Sequence, residues 1–440
     1  MFDREAYNRR MQWYLHDRFG MFIHWGLYAI PARGEWVRSQ EQIPVEEYEA
    51  FFKEFNPVDF DPHKWARAAK EAGMNYAVLT AKHHDGFCLF DSALTDYKST
   101  NTPCGRDLVR EYLDAFRAEG LKVGLYYSLL DWHHPDYPHY GDRHHPMREN
   151  EAFKNHTYDF DRYLSYMHGQ VKELCTNYGK IDLFWFDFSY DDMSGEKWKA
   201  TELVRMIRSY LPDVLIDNRM TVNRMDQKQE GTGSLLSGDP AEYSGDFVSP
   251  EQIIPPEGIR DVGGNPVAWE SCITMNNHWG YCAADKHYKP ADMLIKKLVE
   301  CVSKNGNLLL NVGPDARGNI PRQSLDILRR IGEWMHHSSA SIYGCGGSEL
   351  PKPDYGRITA APGRLYFHVM EPLVGFVPLT GVRTQDIEQI RLLCDGSELK
   401  IADNWITENY PDVTFVSFGE SPLLPDPVDT VIEVQLKKMD

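Results

Sequence analysis

Residues 181–192 read IDLFWFDFSYDD. The run from Leu183 to Phe186 is apolar and short, the pattern of a buried strand. Asp187 then stands between Phe186 and Phe188. Burying an ionised carboxylate without partners is very costly, so this aspartate needs either a partner or a chemical task.

Runs of the same kind recur along the chain: GMFIHWG (20–26), NYAVLTAKHH (75–84), LKVGLYYS (121–128), DVLIDNR (213–219), AWESCIT (268–274) and GNLLLNVGP (306–314). Amphipathic stretches with helix punctuation lie between them. Asp61 caps, Pro62 follows at the first helical position, and WARAAKEAG closes on Gly73. The grammar repeats with Asp107 as cap, Leu108, Val109, Tyr112, Leu113 and Phe116 on one face, and Gly120 as stop. Strand and helix in alternation predict an α/β fold, a TIM-like (β/α)8 barrel, and the seven runs nearly fill it.

After ILRRIGEWMHHSS (327–339) the texture changes to YGCGGSELPKPDYG, a Gly/Pro-rich connector. Beyond it RITAAPGRLYFHVM, IEQIRLLC, VTFVSFGE and DTVIEVQLKKM are rich in Val, Ile and Phe and separated by turns. The expected division is a barrel over residues 1–342 and an all-β sandwich domain over 343–440. A chain of 440 residues is long enough for both.

With 47 Lys+Arg against 65 Asp+Glu the formal charge is −18, which disfavours nucleic acid and anionic membrane partners. The N-terminal stretch MFDREAYNRRMQWYLHDRFG lacks the apolar core of a signal peptide, and no segment has the roughly 20 apolar residues of a membrane helix. A cytoplasmic location is the expectation. The eight cysteines form no C-x-x-C pair, so reduced thiols are expected rather than a zinc site or a disulfide framework.

In a (β/α) barrel the C-terminal strand ends line the functional mouth. Here they carry His24 and Trp25, His83 to Asp85, Tyr126 and Tyr127, Trp185 and Asp187, and Asn218 and Arg219. Aromatic rings among neutral hydrogen-bonding groups and carboxylates suit a sugar, with its apolar C–H faces and many hydroxyls. No phosphate-binding G-x-x-x-x-G-K-[ST] loop is present.

The HWG, KHHDGF, GLYYS, WFD and NGNLLLNVGP segments, in this order, resemble the alpha-L-fucosidase family of glycoside hydrolases, from about His24 to Pro314. The resemblance implies a retaining exo-hydrolase with no cofactor and no metal, acting on fucosylated oligosaccharides or glycoconjugates. It implies Asp187 as catalytic nucleophile. For the acid/base it leaves two glutamates, Glu251 in GDFVSPEQ, which is preferred, and Glu270 in AWESCIT as the alternative. It also implies His24, Glu35, Trp36, His83, His84, Tyr127, Trp185 and Arg219 as sugar-binding residues, with Trp279 of NNHWGY against the C5 methyl. WFD is followed by Phe188 and Ser189 where some relatives carry Gly, which leaves the aglycone side open.

Two other readings stand beside this one: a carbohydrate-binding protein without turnover, and a retaining glycosidase of different sugar specificity on the same barrel. The stretch HHPDYPHYGDRHHP (133–146), with five histidines, is expected to be an exposed loop shaping the sugar entrance or a subunit contact in a homo-oligomer, since its irregular spacing and prolines suit no zinc site.

Overall fold

The computed structural model describes residues 3–221, 232–238, 240–421 and 423–438. All seven apolar runs form strands: β1 (Phe19–Ile23), β2 (Tyr76–Lys82), β3 (Lys122–Ser128), β4 (Leu183–Asp187), β5 (Leu215–Ile216), β6 (Trp269–Thr274) and β7 (Gly306–Val312). They pair in the order β5-β4-β3-β2-β1-β7-β6, every neighbour parallel. Helices follow the strands as expected. Asp61 accepts from the backbone N–H of His63 and Lys64 to start Pro62–Glu71, and Asp107 accepts from Arg110 to start Leu108–Ala118. Gly73 and Gly120 take φ of +82° and +74°, the left-handed turn that ends each helix.

The eighth position is not a regular strand. Residues 246–252 run between the edge strands instead. Asp246 N donates to Ile216 O of β5, Glu270 N to Val248 O, Cys272 N to Pro250 O, and Gln252 N to Cys272 O. This irregular stave bridges β5 and β6. Pro250 has no N–H to give a ladder, which is why no strand pattern runs through it. Gly245 starts it at φ +80°, where a Cβ would sit 2.1 Å from Asp217 O, so only glycine lets the chain turn in so closely.

The stave is anchored by Asp246, which is fully buried. Its Oδ1 accepts from Arg10 Nε (2.9 Å) and Nη2 (2.7 Å), and its Oδ2 from Arg208 Nη2 (3.0 Å) and the Ile216 N–H (2.9 Å). One carboxylate thus ties the N-terminal helix Arg4–Asp17 and the helix Ala200–Tyr210 to the end of the barrel sheet.

Beyond the helix Arg322–Ser338 the chain is all β. A five-stranded antiparallel sheet orders Ile387–Leu392, Thr430–Leu436, Arg364–Val369, Gly356–Ala361 and Gly346–Gly347, and a three-stranded one orders Val377–Thr380, Val413–Ser417 and Lys400–Ile401. Phe367, Val369, Ile432 and Val434 of the first sheet share a core with Val377, Leu379 and Val416 of the second, a sandwich. Val377–Thr380 escapes a sequence reading because it is four residues long and contains Pro378, tolerable there because it is an edge strand.

The 133–146 loop departs from expectation. Asp136, Tyr137, His139, His145 and Pro146 are buried, and the loop is anchored rather than loosely exposed. Aspartates take the place of regular structure: Asp131 Oδ1 accepts from the N–H of His133 and His134, and Asp142 Oδ1 from those of His144 and His145. Ring stacking does the rest, His133 lying flat on Tyr97 at 3.8 Å.

Asp246→Ala leaves two arginines without their buried counter-charge and should lower stability by about 3–5 kcal/mol. Urea unfolding followed by tryptophan fluorescence checks this, and an unmoved midpoint would contradict the anchor.

Candidate functional site

The strand ends open on a cavity of about 350 Å³. Ten of the residues singled out in the sequence line it: His24, Glu35, Trp36, His83, His84, Trp185, Asp187, Arg219, Glu251 and Trp279. Phe22, Tyr126, Phe188 and Cys272 complete the lining. Tyr127 and Glu270 are not part of it.

Tyr127 is a correction. Successive side chains of a strand face opposite sides, and in β3 it is Tyr126 that points into the barrel while the hydroxyl of Tyr127 donates to Gln170 in the surrounding helix layer. Tyr126 donates to Asp187 Oδ2 at 2.9 Å. Its register partner in β4 is Trp185, and Ser128 pairs with Asp187, so one face of two neighbouring strands delivers all of these groups.

Glu270, the alternative to the preferred Glu251, lies outside the cavity. It pairs with Asn307 near the start of β7, below the cavity. There Tyr76 donates to its Oε2 (2.5 Å) and the indole N–H of Trp185 to its Oε1 (3.3 Å). Burial pushes its carboxyl up to about 7. Glu270 supports the floor from beneath and does not face the cavity.

Asp187 and Glu251 meet at Arg219. The guanidinium Nη1 donates to Asp187 Oδ1 at 3.1 Å and to Glu251 Oε2 at 2.9 Å. Laid end to end, those lengths cap the separation of the two bonded oxygens at about 6 Å. Arg219 is itself clamped: Nε donates to Ser249 Oγ (2.9 Å), Nη2 to Ser249 O (3.0 Å), and the guanidinium lies 4.5 Å from the Trp185 ring centre. Burial works against its charge, but Asp187 and Glu251 outweigh it and hold Arg219 protonated. For Asp187 burial prevails, pushing the carboxyl up to about 6 against the lowering pull of Arg219, with Glu251 adding to the rise. The Glu251 side chain remains 44% exposed at the mouth, whereas Asp187 lies deep.

The imidazoles are neutral. Burial lowers His24 to about 3 and takes His83 and His84 well below the usual histidine range. The tautomers follow from their partners. The Asn311 amide N–H donates to Trp279 O, so its Oδ1 accepts from His24 Nδ1 (2.7 Å). Ser128 Oγ donates to Leu130 O, so it accepts from His84 Nδ1 (2.7 Å). Each ring is thereby left with a lone pair on Nε2 for a ligand hydroxyl. Glu35 Oε2 accepts from the Gly280 N–H at 2.8 Å, which ties the GEW segment to the NNHWGY segment. Among the lining residues the one permanent cation, Arg219, already serves two carboxylates, an environment for a neutral polyol and not for a phosphate.

The sequence reading placed Tyr126 at the mouth beside Tyr127 but gave the sugar contact to Tyr127, since the parity of β3 was not known; Phe22, which it left out, precedes His24 by two residues on the same face of β1.

Tyr126→Phe removes a hydrogen bond that favours ionised Asp187 and should raise its titration midpoint above about 6. Tyr127→Phe should leave it in place. Carboxyl carbon NMR of aspartate-labelled protein reads both; equal shifts would refute the assignment of faces.

A family model described as alpha-L-fucosidase matches residues 3–340. The chain is 31% identical over 362 residues to the alpha-L-fucosidase of Dictyostelium discoideum, covering 76% of this chain and 71% of that one. Among solved structures it is similar to alpha-L-fucosidase isoenzyme 1 from Paenibacillus thiaminolyticus, at 60% identity and a TM-score of 0.93 over 98% of this chain and 100% of that one. It is similar also to an alpha-L-fucosidase from Bacteroides thetaiotaomicron, solved as a covalent intermediate with 2-fluoro-fucosyl fluoride in a glutamate-to-glutamine mutant, at 28% identity and a TM-score of 0.82 over 98% and 96% of the two chains.

Proposed function

The chain belongs to the alpha-L-fucosidase family and is a glycoside hydrolase, and from that premise we propose that it removes terminal alpha-L-fucosyl groups by double displacement, with Asp187 as nucleophile and Glu251 as acid/base. The observation that carries this reading is the pair of carboxylates on one guanidinium nitrogen, their bonded oxygens within about 6 Å of each other. Retaining enzymes set their carboxyls about 5–5.5 Å apart, and inverting ones leave about 6.5–9.5 Å for a water. The covalent intermediate trapped in the Bacteroides relative supports the same chemistry.

In the first step Glu251 protonates the glycosidic oxygen as an Asp187 oxygen bonds to the anomeric carbon, releasing the aglycone and leaving a fucosyl ester. Esterification removes the charge of Asp187, and Arg219 then has Glu251 alone to hold. Glu251 takes a proton from water, the water oxygen attacks the anomeric carbon, and alpha-L-fucose leaves with Asp187 restored. The lone pairs of His24 and His84 accept from sugar hydroxyls. Trp279, 5.0 Å from His24 and 5.9 Å from Phe22, supplies with Phe22 an apolar corner for the C5 methyl. The open side chain of Glu251 places proton delivery on the solvent side, where an aglycone departs.

Asp187→Gly should lose about 10⁴-fold or more in kcat on an aryl alpha-L-fucoside. Azide should rescue it to the beta-fucosyl azide, whereas Glu251→Ala should yield the alpha product; an Asp187→Gly enzyme of undiminished activity removes that residue from the mechanism.

Attack needs Asp187 ionised, so kcat/KM should fall as pH drops through about 6. With alpha-L-fucosyl fluoride, whose leaving group needs no proton, Glu251→Gln should move this acid limb to lower pH, because the charge that raises Asp187 is gone. An acid limb that stays in place would separate the two carboxylates.

A further inference from the structure

Directly after the nucleophile the backbone adopts a conformation that phenylalanine rarely takes. Phe188 has φ +94°, open to glycine and resisted by a bulky side chain unless its surroundings hold it. The turn brings the ring into the cavity wall. There it meets Trp36 at 5.4 Å, His84 at 5.2 Å and His144 at 4.8 Å, and His144 in turn meets Trp36 at 5.6 Å. Trp36, Phe188 and His144 thus form a closed triangle of rings packed at steep angles, each half-buried, at the outer side of the site.

The triangle is braced from the 133–146 loop. The His144 N–H donates to Asp142 Oδ1 (2.9 Å), its carbonyl accepts from Ser39 Oγ (2.7 Å), and its ring also packs on Tyr190 at 4.8 Å. Tyr190 is held by hydrogen bonds to Tyr137 (2.8 Å) and Asp142. Burial lowers His144, against the pull of Asp142, which keeps the wall uncharged.

We propose that Phe188 and His144, packed on the outer side of the sugar-binding Trp36, form the leaving-group subsite and hold the apolar face of a ring-shaped, uncharged aglycone, a pyranose or an aryl group. This rests on the fucosidase reading above. The fucosyl side of the cavity is lined by buried His24, His83 and Trp185, so the aglycone leaves past the half-exposed lining, where Glu251 delivers its proton. A wall of neutral rings in the half-exposed lining of the same cavity stacks on C–H faces and offers nothing to an anionic group. The loop that the sequence marked by its histidines thereby acquires a task through His144.

The test compares 4-nitrophenyl alpha-L-fucoside, whose leaving group reaches the wall, with alpha-L-fucosyl fluoride, whose leaving group does not. Phe188→Gly suits the backbone, since φ +94° is free for glycine, and the relieved strain offsets part of the ring packing that is lost. In this variant and in His144→Ala, the ratio of kcat/KM for the aryl substrate over the fluoride should drop about tenfold, mainly through KM. A ratio equal to that of the wild type in both variants overturns the proposal. So does a parallel loss on both substrates in Phe188→Gly, which would mean that the ring acts by positioning Asp187. Wild-type turnover of the fluoride separately marks the fucosidase reading, and its absence would overturn both.

Discussion

Two carboxylates with oxygens within about 6 Å of each other in a mostly buried cavity repel, and the structure relieves this with one shared guanidinium. Arg219 holds Asp187 and Glu251 from the same nitrogen while Ser249 and the Trp185 face hold Arg219. The arrangement is a chain of dependence. Trp185 rests on Glu270 through its indole N–H, and Ser249 and Glu251 both belong to the irregular stave that Asp246 ties to Arg10 and Arg208. The geometry of the carboxylate pair therefore rests on a buried aspartate with no place in the cavity.

Much of this was legible in the sequence, and the reason is locality. Strand runs and helix caps are written in neighbouring residues, so all seven strands and the caps Asp61 and Asp107 stand where the pattern puts them. Asp187 was legible because an unpaired carboxylate at the end of an apolar run is physically anomalous. What failed was information held between segments. The choice of Tyr126 over Tyr127 depends on strand parity, which GLYYS alone does not define. Glu251 was preferred over Glu270 through the resemblance alone, and the depth along the barrel that sets Glu270 apart is visible only when Glu270 is seen beside Asn307. The 133–146 loop looked exposed because it has no periodicity, yet aspartate-capped turns and stacked rings bury it without one.

The irregular stave has a use that a regular strand would serve less well. Ser249 and Glu251 are two residues apart and reach the same guanidinium, as side chains of like parity do, while Gln252 follows at φ +55° and turns the chain away. The stave thus sets down its two functional groups and leaves the sheet at once, so Glu251 ends at the open rim instead of inside the barrel. The missing ladder bonds are offset by the charge cluster at Asp246.

The neutral histidines complete the electrostatic argument. In the double displacement proposed above, the proton that Glu251 delivers leaves Asp187 and Arg219 as a cancelling pair of charges beside the sugar. In that proposed first step Glu251 becomes anionic just when positive charge develops at the anomeric carbon, so the charge of the group turns negative in step with the transition state. Protonated His24, His83 and His84 would reverse that sign. Their burial, which lowers His24 to about 3 and the other two well below the ordinary range, keeps them out of the charge balance at any pH at which Asp187 is ionised. The same desolvation that raises Asp187 toward neutrality thus also secures the environment in which its charge is effective.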